Sequence, residues 1–162
     1  TFLLTVIFDL VVAIEVGLVL ACVLFMRRMS SESKVEGWRY IEQEQDPDNI
    51  DLKHVPKHIS VYELSGPLFF AVAGEITRIE TKSYTKCVIL RMRAVPSVDT
   101  DALRMLSQFV TDCSKKGITV ILSHVNAQPM RAMHKSGLYD LVKKENFCLN
   151  IDAALRRGEE LQ

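Results

Sequence analysis

Residues 87–125 have the sequence CVILRMRAVPSVDTDALRMLSQFVTDCSKKGITVILSHV, and this stretch sets the fold class of most of the chain. It contains two continuous apolar runs, at 87–92 and 118–125. Runs of this kind are typical of strands that are covered on both faces, as in a parallel sheet between helices. We therefore predict two buried strands at these positions.

The segment between the two runs has the pattern of an amphipathic helix. Either Asp99 or Thr100 can cap its start, and Gly117 can end it. Its apolar stripe at helical spacing consists of Leu103, Leu106, Phe109, Val110 and Cys113. The order strand, helix, strand predicts a βαβ unit with parallel strands.

Two further β-type runs precede this unit. They are HISVYEL at 58–64 and LFFAVA at 68–73, and the turn signal Ser65-Gly66-Pro67 separates them. Their spacing predicts a hairpin.

Three helical segments follow the unit, at 126–137, 139–146 and 151–161. Pro129 suits the first turn of the first segment, and Gly137 suits its end. In and next to the other two segments, the residues that we expect to cover the sheet are Leu141, Val142, Phe147, Ile151, Ala154 and Leu155. The whole pattern predicts an α/β fold with a sheet of four or five strands and helices mainly on one face.

The chain opens with an apolar run, TFLLTVIFDLVVAIEVGLVLACVLFM at 1–26, which Arg27 and Arg28 follow at once. Roughly 20 helical residues cross the hydrocarbon core of a membrane, so the run predicts a spanning helix with its carboxyl end in the cytoplasm. A signal peptide would place its basic residues first, and a soluble core helix is rarely apolar all round. Because the chain starts at Thr1, inside the run, we expect it to be a fragment of a longer protein.

The predicted organisation is a spanning helix at 1–28, a linker at 29–57 and a domain at 58–162. The linker assignment depends on the acidic stretch EQEQDPDNID at 42–51, which Pro47 interrupts.

Two acidic residues, Asp9 and Glu15, lie within the apolar run. Such groups mark either a proton or ion pathway or packing against neighbouring helices. Six positions place the two about 120 degrees apart on a helix, so they need not share a face. We favour packing, because intramembrane acids in multi-span bundles also pair structurally.

Composition argues against several classes of function. Twenty basic and twenty acidic residues give no net charge, which gives no support to nucleic-acid binding. The four cysteines, Cys22, Cys87, Cys113 and Cys148, form no C-x-x-C pair and fit reduced, buried thiols. His54 and His58 are separated by Pro56, so no metal site is predicted. With no cofactor motif and no convergent acid, base and nucleophile, we predict that the protein is not an enzyme.

The order of these segments resembles the carboxyl-terminal end of a sulfate permease (SulP) family anion transporter: the last transmembrane helix, a linker and a STAS domain. The segments that carry the resemblance are LTVIFDLVVAIEVGLVLA, VYELSGPLFFAVA, VILRMRAVPSVDTDAL and MHKSGLYDLVKKENFCLNIDAAL. The resemblance implies a multi-pass protein of the inner (plasma) membrane that usually works as a dimer, with the STAS domain on the cytoplasmic side. It also implies transport of sulfate, bicarbonate or dicarboxylates, often coupled to protons or sodium, through a substrate site on other helices. The short connection at 74–86 resembles bacterial members.

STAS domains are also similar to anti-anti-sigma regulators, in which a Ser of an Asp-Ser-Ser-Gly motif is phosphorylated. The matching residues here are Asp99, Thr100, Asp101 and Ala102. A phosphoryl group on Thr100 would be repelled by the acid on either side, so we favour helix capping over a kinase switch.

We predict a regulatory or partner-binding surface at Pro96, Ser97, Asp99, Thr100 and Asp101, because loops at strand ends commonly carry binding. Arg91 and Arg93 flank it and could attract an acidic partner protein or a nucleotide phosphate, or could be solvated charges at a strand edge. The favoured function is cytosolic regulation and assembly of an anion transporter. The alternative is an anti-anti-sigma-like phospho-switch that binds a protein.

Overall fold

A computed structural model describes residues 10–31, 34–37, 55–69, 76, 79 and 81–161 of the chain. The chain divides into two units, Thr1–Glu32 and Ser33–Gln162. The helices and strands are α1 (Leu10–Ser31), β1 (Lys34–Gly37), β2 (Ile59–Ser65), β3 (Cys87–Ala94), α2 (Thr100–Lys115), β4 (Thr119–Ser123), α3 (Ala127–Ser136), α4 (Leu138–Val142), a 3₁₀ turn (Lys144–Asn146), β5 (Phe147–Cys148) and α5 (Ile151–Glu159).

In the first unit the described residues form the helix α1. Its segment Leu10–Arg28 has a mean hydropathy of 2.4 and is long and apolar enough to cross a membrane. Its large apolar side chains are exposed, from 39 % at Val12 to 65 % at Leu18. Glu15 is also exposed on this helix, whereas Asp9 lies outside the described residues. A helix that is apolar on nearly all sides and whose large apolar side chains are exposed is of the kind that can span a membrane.

The second unit is built on a five-stranded sheet with the order β1-β2-β3-β4-β5. β2, β3, β4 and β5 are parallel, and β1 pairs antiparallel with β2. The predicted βαβ unit is confirmed, with β3 and β4 paired from Cys87 opposite Thr119 to Arg91 opposite Ser123.

Both edge strands differ from the sequence prediction. β1 lies inside the predicted linker 29–57, and only two residues separate it from the end of α1. The segment KVEG has a single large apolar residue, so it has no strand pattern of its own and depends on pairing with β2. β5, which was not predicted as a strand, has two residues that pair with Leu122 and Ser123.

The chain after β2 does not turn back as the predicted hairpin would. Gly66, with a φ of +78°, adopts a left-handed conformation that suits glycine. The next residues continue alongside the chain that follows β3, where Leu68 forms a parallel bridge with Val98. A register shift between Glu63 and Ser65 accompanies this change of direction. Residues 70–73 of the predicted second strand lie outside the described residues.

Helices cover both faces of the sheet. Alternate strand residues point to opposite faces, so each strand supplies two sets of apolar side chains. The face covered by α2, α3 and α4 includes Leu64, Leu90, Leu106, Leu122, Met133 and Val142. The opposite face, covered by α5, includes Ile59, Val61, Ile89, Ile121, Ile151 and Leu155. Among the described residues, three helices lie on one face and one on the other, which agrees with the prediction of helices mainly on one face.

Leu141 is an exception among the residues predicted to cover the sheet. It is 43 % exposed, whereas its neighbour Val142 is buried. Successive helical residues point about 100 degrees apart, so both side chains cannot face the sheet in this short helix. Phe147 packs against the core as predicted.

The carboxyl-terminal end of α2 follows the predicted pattern. The backbone N–H of Gly117 donates to Ser114 O at 3.0 Å, and that of Ile118 donates to Cys113 O at 2.9 Å. This is a Schellman motif, which requires the left-handed φ of +71° that Gly117 adopts. It turns the chain directly from α2 into β4.

Candidate regulatory surface

The predicted surface lies at the carboxyl-terminal end of β3, where the loop 95–99 leads into α2. We call it the α2 surface, and it consists of Pro96, Ser97, Asp99, Thr100 and Asp101. Pro96, Thr100 and Asp101 are exposed, whereas Ser97 and Asp99 are half-buried. The structure therefore brings these five predicted residues together on one short, continuous segment.

Asp99, rather than Thr100, caps α2. The Oδ1 atom of Asp99 accepts a hydrogen bond of 2.8 Å from the backbone N–H of Ala102. Thr100 is the first helical residue and is exposed. Asp101 follows it in the first turn, where a carboxylate is favoured by the helix dipole, and lies 3.5 Å from the guanidinium of Arg104. The negative charges on both sides of Thr100 are thus held in place by the helix itself.

On one side, the segment after β2 holds the loop through backbone hydrogen bonds. Gly66 N–H donates to Ala94 O at 2.9 Å, and Leu68 N–H donates to Ser97 O at 3.0 Å. In return, Asp99 N–H donates to Leu68 O at 3.1 Å.

On the other side, two amide side chains at the start of α3 reach the same loop. The Nδ2 group of Asn126 donates to Arg93 O at 2.9 Å and to Val95 O at 2.7 Å, and it lies 3.4 Å from Met92 O. Gln128 bonds both backbone groups of Val98, accepting from its N–H at 2.9 Å and donating to its carbonyl at 3.3 Å.

Sequence reasoning did not identify Asn126 and Gln128. An Asn before a helical segment is a common capping residue, so the only signal at Asn126 indicated the start of a helix. Gln128 carried no signal. Their contacts join positions about 30 residues apart, and a local pattern contains no information at that distance.

Arg91 and Arg93 occupy different environments. Arg91 is only 5 % exposed, and its Nη1 group lies 3.0 Å from Glu63 Oε2 on the neighbouring strand. Arg93 is exposed, two residues further along β3. Arg91 is therefore part of the sheet interior, and Arg93 is the arginine of the pair that lies at the surface.

The cysteines outside α1 are protected thiols. Burial raises the pKa of Cys87 to about 12 and the pKa of Cys113 to about 11. Burial also raises the pKa of Cys148. Because the thiolate is the reactive form, these shifts leave the three side chains poor nucleophiles near neutral pH. Among the described residues, no group of three or more His, Cys, Asp or Glu side chains is placed to hold a metal ion.

Comparison with known proteins gives consistent relatives. The family model of the STAS domain matches residues 49–154. YvdB of Bacillus subtilis (strain 168) is named as a sulfate transporter, a provisional name. It is 32 % identical to this chain over 153 residues, and the match covers 91 % of this chain and 27 % of that protein. The bicarbonate transporter BicA of Picosynechococcus is 27 % identical over 166 residues, covering 96 % of this chain and 29 % of that protein.

A crystal structure of a sulfate transporter family protein from Wolinella succinogenes is also similar. It is 33 % identical with a TM-score of 0.68, and the match covers 72 % of this chain and 98 % of that one. The chain spans less than a third of the length of YvdB and BicA, so those two proteins contain a large part that has no counterpart here.

Proposed function

The chain belongs to the STAS domain family and carries a STAS domain of the sulfate permease (SulP) type, and from this premise we propose that it is the carboxyl-terminal part of a secondary-active anion transporter. In this proposal α1 is the last transmembrane helix. The domain that follows serves regulation, assembly and partner binding in the cytosol.

The observation that carries the proposal is the combination of a membrane-length helix and a STAS domain in one continuous match. The match to YvdB leaves out less than a tenth of this chain, so it must extend beyond the STAS segment 49–154 into α1. A free-standing STAS regulator would have no need of such a helix.

Charge at the end of α1 supports the proposed orientation. Arg27 and Arg28 end the apolar segment, and basic residues next to a span are enriched on the cytoplasmic side. β1 begins only two residues after α1, so the STAS sheet starts on the same side of the membrane. This supports a cytosolic domain on a protein of the inner (plasma) membrane.

The proposed substrates are anions of the sulfate, bicarbonate or dicarboxylate class, with a homodimer as the assembly. The names of YvdB and BicA support sulfate and bicarbonate as the first to test. The exposed Glu15 on α1 is proposed to pack against other helices of the transporter rather than to carry protons. Asp9 has the same proposed role and lies outside the described residues.

Within the domain, we assign partner binding to the α2 surface. Its exposed groups suit a cytosolic protein, and the exposed Arg93 on β3 suits an acidic group of such a partner or a nucleotide phosphate. The second candidate, a phospho-switch at Thr100, is favoured by the exposure of that hydroxyl. It is opposed by Asp99 and Asp101, whose charges would repel a phosphoryl group.

Truncation of the full-length protein after Arg28 tests the proposal. Uptake of labelled sulfate and bicarbonate and abundance in the membrane are measured for the truncated and intact proteins. We expect a severalfold loss of uptake, of abundance or of both. A truncated protein that reaches the membrane in equal amount and transports at the same rate would overturn the proposed role of the domain.

A matched pair of charge reversals on α2 tests the assigned surface. Asp101 and Asp112 each form an i,i+3 ion pair on this helix, with Arg104 and Lys115. We expect Asp101→Arg to alter uptake and Asp112→Arg to leave it unchanged. Phosphate mapping of the protein from active cells separates the two candidates, because stoichiometric phosphate on Thr100 would favour the switch.

A further inference from the structure

Asn126 lies at the N-cap position of α3, but its side chain does not cap that helix. Its backbone, with φ of −68° and ψ of 164°, is that of a helix N-cap, yet its side chain makes no capping hydrogen bond to α3. The amide instead donates to carbonyl groups of the β3–α2 loop. Asn150 at the start of α5 shows the usual behaviour, since its Oδ1 atom accepts a 2.9 Å bond from Ala153 N–H.

Gln128 adds a second attachment from the same helix. By bonding both the N–H and the C=O of Val98, its amide pairs with that residue as a neighbouring strand would. Val98 lies directly before the cap residue Asp99, so this attachment fixes the chain at the point where it enters α2.

The loop is therefore held from two opposite sides. Gly66 and Leu68 bond it from the β2 side, and Asn126 and Gln128 bond it from the α3 side. The backbone groups that take part in these bonds are the carbonyls of Arg93 and Ala94 at the end of β3, the loop carbonyls of Val95, Ser97 and Val98, and the N–H groups of Val98 and Asp99. Without these partners the same backbone groups would have to be satisfied by water.

We propose that Asn126 and Gln128 are positioning residues that hold the α2 surface in a single preformed conformation for its partner. The proposal rests on the proposed function of that surface. A preformed surface binds without the entropic cost of ordering a loop, so loss of these contacts weakens binding even when the domain stays folded.

Amide hydrogen exchange of the whole chain in detergent tests the attachment itself. Asn126→Asp keeps an oxygen that can cap α3 but removes both N–H donors, since a carboxylate only accepts. Asn150→Asp is the matched control, because Asn150 serves as an acceptor and aspartate can replace it. We expect exchange in the loop 95–99 to rise about tenfold in Asn126→Asp and to remain unchanged in Asn150→Asp, with α3 protected in both.

Two further variants distinguish the effect of losing the N–H donors from the effect of adding a negative charge. Asn126→Ala removes the donors without introducing a carboxylate near the loop carbonyls. Gln128→Glu keeps the acceptor for Val98 N–H and loses the donor to its carbonyl. Faster exchange in the loop, with an unchanged midpoint of global unfolding, supports the proposal. Wild-type exchange in both Asn126 variants overturns it.

Uptake by the full-length protein tests the functional part. We expect Asn126→Asp to change uptake in the same direction as Asp101→Arg, at equal membrane abundance, and Asn150→Asp to behave as wild type. If Asn126→Asp loosens the loop but transports normally while Asp101→Arg does not, the positioning role is overturned. If truncation after Arg28 has no effect, the proposed function fails, and the exchange experiment still shows whether the two amides hold the loop.

Discussion

The two ends of β3 lie in different surroundings. At the amino-terminal end, Cys87 and Ile89 are fully buried on the face that α5 covers. Further along the same face, Arg91 is buried in an ion pair with Glu63, and Arg93 reaches the surface. One strand thus begins in an apolar core and ends in a polar, hydrogen-bonded region.

The apolar end of β3 contributes mainly to the stability of the domain, whereas the polar end fixes the position of the α2 surface. Apolar burial is non-directional and contributes most of the free energy of folding. Hydrogen bonds contribute less to net stability, but their directional geometry fixes where each group lies. We therefore expect substitutions at the first end to act on the whole domain and substitutions at the second end to act increasingly locally.

The largest effect is expected for Ile89→Ala at the apolar end. The side chain of Ile89 is fully buried, so truncation removes packing and leaves a cavity at the cost of about 2–5 kcal/mol. Urea unfolding of the chain in detergent, followed by circular dichroism, measures the loss. Leu149→Ala is the control, because Leu149 is 88 % exposed and its truncation should cost less than about 0.5 kcal/mol. Equal stability of the two variants would contradict the comparison.

Arg91→Met is expected to have the next largest effect. It removes the ion pair between Arg91 and Glu63, and so takes one compensating charge away from a carboxylate whose side chain is only 19 % exposed. Because Glu63 keeps some contact with water, we expect a loss of about 1–3 kcal/mol, below that for a fully buried pair.

The double variant Arg91→Met, Glu63→Gln tests the cause of that loss. Removing both charges should recover part of the lost stability, since the penalty comes from the loss of a compensating charge rather than from lost packing. Additive losses in the urea midpoints would show that the two side chains do not act as a pair.

Alkaline pH should act at the apolar end through Cys87. Burial raises the pKa of Cys87 from 9.0 to about 12, so its neutral thiol contributes stability fully below about pH 9, and this is lost as the pH rises toward 12. Between pH 7 and pH 10 the wild type should lose about 1 kcal/mol more than Cys87→Ala. Unfolding curves at the two pH values measure the difference, and equal losses in both proteins would rule out this thiol as the cause.

A smaller effect is expected for Asp99→Ala at the polar end. It removes the side-chain cap of α2 and should cost about 1 kcal/mol. Thr100→Ala is the matched control and should be nearly neutral, because Thr100 is exposed and does not cap the helix. Hydrogen exchange in the first turn of α2 would locate the change, and a greater effect for Thr100→Ala would reverse the assignment of the cap.

Local patterns were sufficient for the central elements of the fold. β3 and β4 were predicted because each is a continuous apolar run, and α2 because its apolar residues recur at helical spacing. The ends of α2 carry their own signals at Asp99 and Gly117. Local patterns did not predict the two edge strands of the sheet. β1 and β5 are too short to show a strand pattern of their own, and they are strands because they pair with β2 and β4.

The candidate surface was predicted only in part. Its own residues follow a strand and open a helix, which the sequence indicates directly. Arg91 and Arg93 have the same charge and lie on the same strand, so the sequence did not reveal that one is buried in an ion pair and the other is exposed. The predicted hairpin after β2 differs from the structure because Gly66 directs the chain along the loop that follows β3.

The sequence by itself determined the membrane-length helix, the parallel βαβ unit and the extent of α2, because each depends on residues within a few turns of one another. Only the tertiary structure decided that Asn126 and Gln128 bond the loop before α2 and that Arg91 is buried in an ion pair with Glu63. These contacts join residues about 30 positions apart, and a side-chain amide or guanidinium finds its partner only after the strands have brought the two segments together.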